Sequence, residues 1–172
     1  MNYFLNEQQK TIKGLARRIA EERILPVRAE LDEKEEFPWG IMKELADADM
    51  FRIFIPVEYQ GLGGGCLDLC LVIEELSRAC GGVAISYAAD ALGCLPLLQY
   101  GSQEQKKRYL PDIASGKKLT AFALTESTAG SDASGIRTSA SHQGGYYVLN
   151  GTKQFITNGG EAELYTVIAM TD

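Results

Sequence analysis

The chain has 172 residues, with 23 acidic side chains against 17 basic ones and one histidine, which gives a formal net charge of −6. Its longest basic run is Lys106-Lys107-Arg108, far short of the basic stripe that neutralises a phosphate backbone, and nucleic acid is excluded as a partner on that ground. A 45% share of hydrophobic residues beside 23% charged ones belongs to a chain that buries a core, and the length allows one large domain or a domain and part of another.

No stretch offers the roughly 20 uninterrupted apolar residues of a bilayer span, and Met1 to Gln9 lack a basic-then-apolar leader. A cytoplasmic protein is expected. Cysteines stand at 66, 70, 80 and 94, and buried thiols are the expectation, because reduced Cys is among the most buried residue types. Cys66 and Cys70 share a helix face at i, i+4, but His142 lies far away in a polar turn. The paired ligand spacing of structural zinc is missing, and no metal is expected.

From Asn6 to about Leu31, Ile12, Leu15, Ala16, Ile19, Ala20 and Ile24 recur with the 3.6-residue period of an amphipathic helix, which Pro26 should interrupt. A second helix fits Pro38 to Ala48, with Pro38 in its first turn and Ile41, Met42 and Leu45 on one face. Residues Phe51 to Gly65 break the pattern and read as a loop. Leu67 to Ala79 returns to helix, apolar over more than half its surface, and Cys80-Gly81-Gly82 ends it. Val83 to Tyr100 is a further apolar helix, rich in small residues and expected to kink at Pro96. A fifth helix starts from Ser102 as N-cap and stops at Gly116.

Beyond Lys118 alternation and turns replace the helical period. Leu119–Leu124, Gly135–Ala140, Tyr146–Leu149, Lys153–Thr157 and Leu164–Met170 read as strands, with turns at His142–Gly145 and at Asn150-Gly151, a dipeptide suited to a tight hairpin. The expected fold is therefore α+β: an all-α domain over residues 1–118, followed by an incomplete antiparallel β-barrel-like domain over 119–172. So few strands would leave an open edge and a half-covered face, and a truncated chain is inferred.

The glycine-rich stretch Gly61-Leu-Gly-Gly-Gly65 lacks the strand and the spacing of a dinucleotide fingerprint and reads as a turn. More informative is Ala123-Leu-Thr-Glu-Ser-Thr-Ala-Gly-Ser-Asp-Ala-Ser-Gly135. Its small hydroxyl residues and glycines leave backbone N–H and C=O groups open directly after a strand, which suits a ligand with an amide-like edge. The same composition describes an ordinary loop, and Thr125, Phe155 and Thr157 are equally ordinary strand residues, so the residues alone leave both readings open. Glu126 reads as a carboxylate organising its own loop through backbone N–H groups rather than as a general base. A buried acid at Glu74 or Glu75 would find an arginine, for instance Arg78 at i+4 from Glu74.

The run Ala123 to Gly135 resembles the first signature of the acyl-CoA dehydrogenase family at every defined position, including Thr125, Glu126, Gly130, Ser131, Asp132 and Gly135. Leu149-Asn-Gly-Thr-Lys-Gln-Phe-Ile-Thr-Asn-Gly-Gly160 resembles the family's next characteristic stretch. Ile55 to Gly64 is similar to its glycine-rich connection, and Tyr100 to Pro111 to the start of its fifth helix. The resemblance covers essentially the whole chain. It implies an FAD-dependent enzyme that converts an acyl-CoA thioester to the trans-2-enoyl-CoA with hydride transfer to flavin N5. Phe122, Leu124, Thr125, Gly130 and Ser131 would lie against the flavin, with Thr125 bonding the ring edge and Ser131 also meeting the acyl-CoA. Phe155, Ile156 and Thr157 would cover the other flank, with the Thr157 hydroxyl near N5. Phe155 stands where many members carry tryptophan, which keeps the aromatic face without the indole donor. Small residues at Ala88, Ala89 and Gly93 would leave room for a bulky acyl group. The family's glutamate base belongs to a C-terminal helical domain, so no catalytic residue is assigned and the base is expected beyond Asp172. The resemblance further implies a homotetramer, with electron-transferring flavoprotein as acceptor. A non-catalytic assembly module and an acyl-CoA oxidase relative are the alternative functions.

Overall fold

Apolar periodicity and helix-end chemistry set the first two thirds of the chain. The structure, a computed structural model, describes residues 4–171; Met1, Asn2 and Tyr3, which belong to the segment read above for a leader, and Asp172 lie outside the described residues. Helix α1, Glu7–Ile19, starts at Asn6, whose side chain accepts from the Gln9 amide while Gln9 reaches back to the Asn6 amide. The helical ladder then widens into a π turn, Ala20–Ile24, closed by Leu25 N–H to the Ala20 carbonyl at 3.0 Å. Pro26, which cannot donate, lies at the break, and the short α2, Arg28–Lys34, follows. Helix α3, Trp39–Asp47, begins one residue after Pro38. The expected loop from Phe51 to Gly65 contains single 3₁₀ turns, Met50–Arg52 and Val57–Tyr59.

Helices α4, Cys66–Ala79, and α5, Gly81–Tyr100, meet at Cys80, and α5 runs through Pro96 to its end without interruption. Helix α6, Gln103–Ala114, is capped by Ser102, whose hydroxyl accepts from the Gln105 amide at 3.2 Å. The main core lies where α1, α3, α4 and α5 converge on Ile12, Ile19, Leu45, Phe51, Val72, Leu76 and Tyr87. A second cluster joins α5 and α6 through Phe54, Ile55, Cys94, Leu110 and Ile113. By length and composition α5 could cross a membrane, contrary to the expectation that no segment would; half of it is buried inside the protein, against α4 and the strands, so it serves here as the central core helix.

The acid buried on α4 is Glu75, not Glu74. Arg17 of α1 grips it through two bonds of 2.8 and 2.9 Å, and Arg78 and Lys13 add further ion pairs, while Glu74 pairs with Lys13. The Arg17 guanidinium holds the Glu75 carboxyl at about 2, well below the carboxylate range. Among the cysteines only Cys94 is buried; Cys80 is half-buried, and Cys66 and Cys70 are exposed because their shared face of α4 points outward. The expectation of buried thiols fails at those two positions.

Strands β1, Thr120–Ala123, and β4, Leu164–Val167, pair in parallel; β2, Ser139–Gln143, and β3, Tyr146–Asn150, pair antiparallel. The expected α-then-β order is present, whereas the all-antiparallel pairing is corrected by β1 and β4. The β2–β3 turn lies at Gly144 and Gly145, both at positive φ, within the stretch expected to turn. No hairpin forms at Asn150-Gly151, because residues 153–157 are not a strand: Lys153 and Gln154 are bonded across the end of β1, and Phe155 has φ of 56°. Likewise only Ser139 and Ala140 of the expected strand at 135–140 are in a ladder. Glu126 occupies the amides of Arg137 and Thr138, which a neighbouring strand would otherwise have used.

Candidate functional site

Helix α5 and strand β1 form the two walls of the site. Gly93 lets them close: a Cβ there would stand 2.4 Å from the Thr120 hydroxyl and 3.0 Å from the Ala121 backbone. With the strand this near, Ile85, Ala88, Ala89 and Leu92 of α5 face Phe122, Leu124, Thr125, Phe155 and Thr157 across a cleft of about 310 Å³. Thr125 and Thr157, separated in sequence by β2 and β3, thus share one cavity. The main-chain bond from Gln154 N–H to the Thr125 carbonyl, 2.9 Å, ties their segments together.

The polar edge in this cleft comes from the backbone. Leu164 N–H donates to the Leu119 carbonyl and Ile168 N–H to the Ala123 carbonyl, so odd-numbered residues of β1 face β4 and even-numbered ones face the opposite edge. Thr120 on that edge is occupied, its amide by Asp90 and its carbonyl by Asn158. The Leu124 carbonyl takes the Lys153 ammonium. The amide and carbonyl of Phe122 and the amide of Leu124 point into the cleft, with no partner there among the described residues. A ligand with alternating acceptors and donors on a flat edge matches that row, and a planar ring system fits between it and the apolar side chains of α5.

Glu126 fixes the end of β1. One carboxylate oxygen accepts from the Thr138 amide at 2.9 Å, its hydroxyl at 2.6 Å and Lys153 Nζ at 2.8 Å; the other accepts from the Arg137 amide at 2.7 Å. The Lys153 ammonium, then the Thr138 and Arg137 donors, hold its carboxyl at about 2. A carboxylate so engaged organises its loop and is a poor proton acceptor at neutral pH, as its sequence context indicates.

The remaining expected positions lie elsewhere. Gly130 and Ser131 are exposed on the loop after Glu126 and do not line the cleft, and Ile156 is half-buried with its carbonyl taking the Gly159 amide. Phe155 is 86% exposed at the cleft mouth. Gly93 does not line this cleft; a side chain there would meet Thr120. Sequence reasoning passed over Lys153, Asn158 and Asp90. A lone carboxylate in an otherwise apolar 20-residue helix is the signal that points to Asp90.

The comparisons with known proteins bear on the chain as a whole. The acyl-CoA dehydrogenase N-terminal domain model matches residues 6–117 and the middle domain model residues 121–172. A curated relative from Clostridium acetobutylicum, a short-chain specific acyl-CoA dehydrogenase, is 39% identical over the whole of this chain and 46% of its own. Butyryl-CoA dehydrogenase from Megasphaera elsdenii superposes with a TM-score of 0.93 at 38% identity, covering 100% of this chain and 46% of that one. An acyl-CoA dehydrogenase complexed with FAD from Bacillus anthracis gives 0.90 at 38% identity, covering 98% of this chain and 29% of that one. The chain spans about half the length of the curated relatives it matches. With both domain models matched in order along it, this chain belongs to the acyl-CoA dehydrogenase family.

Proposed function

We propose that this chain forms the helical domain, residues 1–118, and the flavin-facing part of the β domain, residues 119–172, of an FAD-dependent acyl-CoA dehydrogenase in the bacterial cytoplasm. The observation that carries the reading is the open backbone edge of β1 at Phe122 and Leu124, set in one cleft with Thr125 and Thr157. Bound FAD would supply the hydride acceptor for α,β-dehydrogenation of an acyl-CoA to the trans-2-enoyl-CoA. The β1 edge and the Thr125 hydroxyl would orient the ring by its amide-like face, and the Thr157 hydroxyl would bond it from the opposite flank. Phe155 and Ile156 would cover that flank and exclude water, while Gly130 and Ser131 would meet the acyl-CoA and the cofactor's polar tail from the exposed loop. The α proton would pass to a glutamate beyond Asp172. Electron-transferring flavoprotein would take the electrons, and the full-length protein would assemble as a homotetramer.

Ile85, Ala88, Ala89 and Leu92 form the apolar wall opposite the β1 edge and would receive the acyl chain, with Ala88 and Ala89 leaving space for a branched one. The test uses the complete reading frame, purified and examined for yellow colour and for anaerobic bleaching by butyryl-CoA. Bleaching is expected, and Ala88→Phe is expected to raise KM about tenfold, the cost of a clash near 1.4 kcal/mol. Persistent colour without bleaching by any acyl-CoA would replace this reading with a binding module. Rapid peroxide formation in air would replace it with an oxidase.

A further inference from the structure

Asp90 is the one charged residue of α5 and is fully buried. Its Oδ1 accepts from the Thr120 amide at 2.5 Å, and the Thr120 hydroxyl donates to its main-chain carbonyl at 2.6 Å. On the carbonyl side of the same strand residue, Asn158 Nδ2 donates to Thr120 O at 3.1 Å and to Ser86 O at 3.0 Å. One polar atom of each side chain is thereby used. The others, Asp90 Oδ2 and Asn158 Oδ1, are both buried and unpaired among the described residues.

An amide oxygen and an ionised carboxylate oxygen are both acceptors, so neither could satisfy the other. The Asn158 amide has no freedom to turn over, because both groups that face its nitrogen are carbonyls. Only Asp90 Oδ2 can change from acceptor to donor, by taking a proton. Around it stand the Tyr87 phenol and the Cys94 thiol on α5, Thr120 on β1 and the Glu163 carboxylate ahead of β4, none of them cationic. A cation that would keep the carboxylate charged is absent from that set, and an unpaired buried acceptor is costly.

We infer that Asp90 is a neutral carboxylic acid whose Oδ2 hydroxyl donates to the Asn158 amide oxygen, locking the turn that presents Thr157 to the cleft. Asn158 itself holds a left-handed backbone, φ 63°, and its main-chain carbonyl accepts the amides of Glu161 and Ala162, so the residue whose side chain is anchored to Ser86 and Thr120 also carries main-chain bonds of the turn. Burial pushes the Asp90 carboxyl up to about 8, against the lowering effect of the Thr120 bonds. Asp90 is thus a positioning residue, acting on Thr157 through Asn158. Its importance for a flavin rests on the proposed function, but its protonation does not, and the test needs no cofactor.

Two measurements on the chain decide it. Because the folded value lies above the unfolded carboxyl value of 3.8, the stabilisation is complete below about pH 4 and is lost as pH rises toward about 8. Equilibrium unfolding of wild type relative to Asp90→Asn should therefore show an unfolding constant that rises about tenfold per pH unit in that window. Parallel pH profiles would overturn the neutral acid. Asn158→Ala should move the upper limit of the window to lower pH, since it removes the acceptor that favours the protonated form; an unmoved limit would overturn the bond to Asn158. In wild type, amide NMR shifts of residues 157–162 should titrate together near the upper limit and stay flat in Asp90→Asn. Shifts that are flat in both would overturn the positioning of Thr157.

Discussion

Glu126→Ala is expected to lower the melting temperature of the chain by roughly 10 °C at neutral pH, the scale of breaking a buried ion pair in a domain of this size. The substitution strands four donors at once: two main-chain amides, the Thr138 hydroxyl and Lys153, whose side chain is only 10% exposed. Lys153 would keep just the Leu124 carbonyl. Because the folded carboxyl sits at about 2, below its ordinary 4.5, its stabilisation is present above about pH 4.5 and disappears as pH falls through 2. Wild type should therefore lose its advantage over Glu126→Ala on acidification. Thermal unfolding followed by circular dichroism in a pH series measures both effects; a drop of less than about 2 °C at pH 7 would contradict this account of the loop.

Gly93→Val is expected to destabilise the fold by about 3 kcal/mol, at the upper end for overpacking. Rotamer adjustment offers no relief, since the added Cβ already meets the Thr120 side chain and the Ala121 backbone. The strand would have to move off α5, taking with it the Asp90 bond to the Thr120 amide and widening the cleft between Ala88 and Phe122. Denaturant titration reads the loss of stability. Gly93→Ala should show a smaller shift of the same sign, and a neutral Gly93→Ala would mean that α5 and β1 are free to separate.

The helices were legible because their signals are local. Periodicity at Ile12 to Ile24, Ser102 before Gln105 and Pro26 after Ile24 act within one or two turns, and the observed ends fall within a few residues of those expected. The sheet was less so. Alternation in Leu119–Leu124 and Leu164–Met170 marks strands but carries no information on pairing direction, and the parallel β1–β4 ladder depends on how the intervening chain is folded back. Phe155, Ile156 and Thr157 have strong strand propensity, yet bonds from Lys153 and Gln154 to the end of β1 outweigh it. Thr125 and Thr157, which share the cleft, were singled out through motif resemblance, and Glu126 as a loop organiser through its neighbouring amides. Gly93 was misassigned because a glycine that admits a strand and one that admits a ligand look alike in sequence. Asp90 was missed because the cost of its burial exists only once β1 lies against it.

Phe155 occupies a left-handed backbone, φ 56°, with its ring almost wholly in water. A bulky residue in that conformation opposes folding by about 1 kcal/mol, and a glycine would remove the opposition. Under the proposed function, the sturdier Phe155→Gly chain would grip a flat ring less well, so resilience and performance part at this one position.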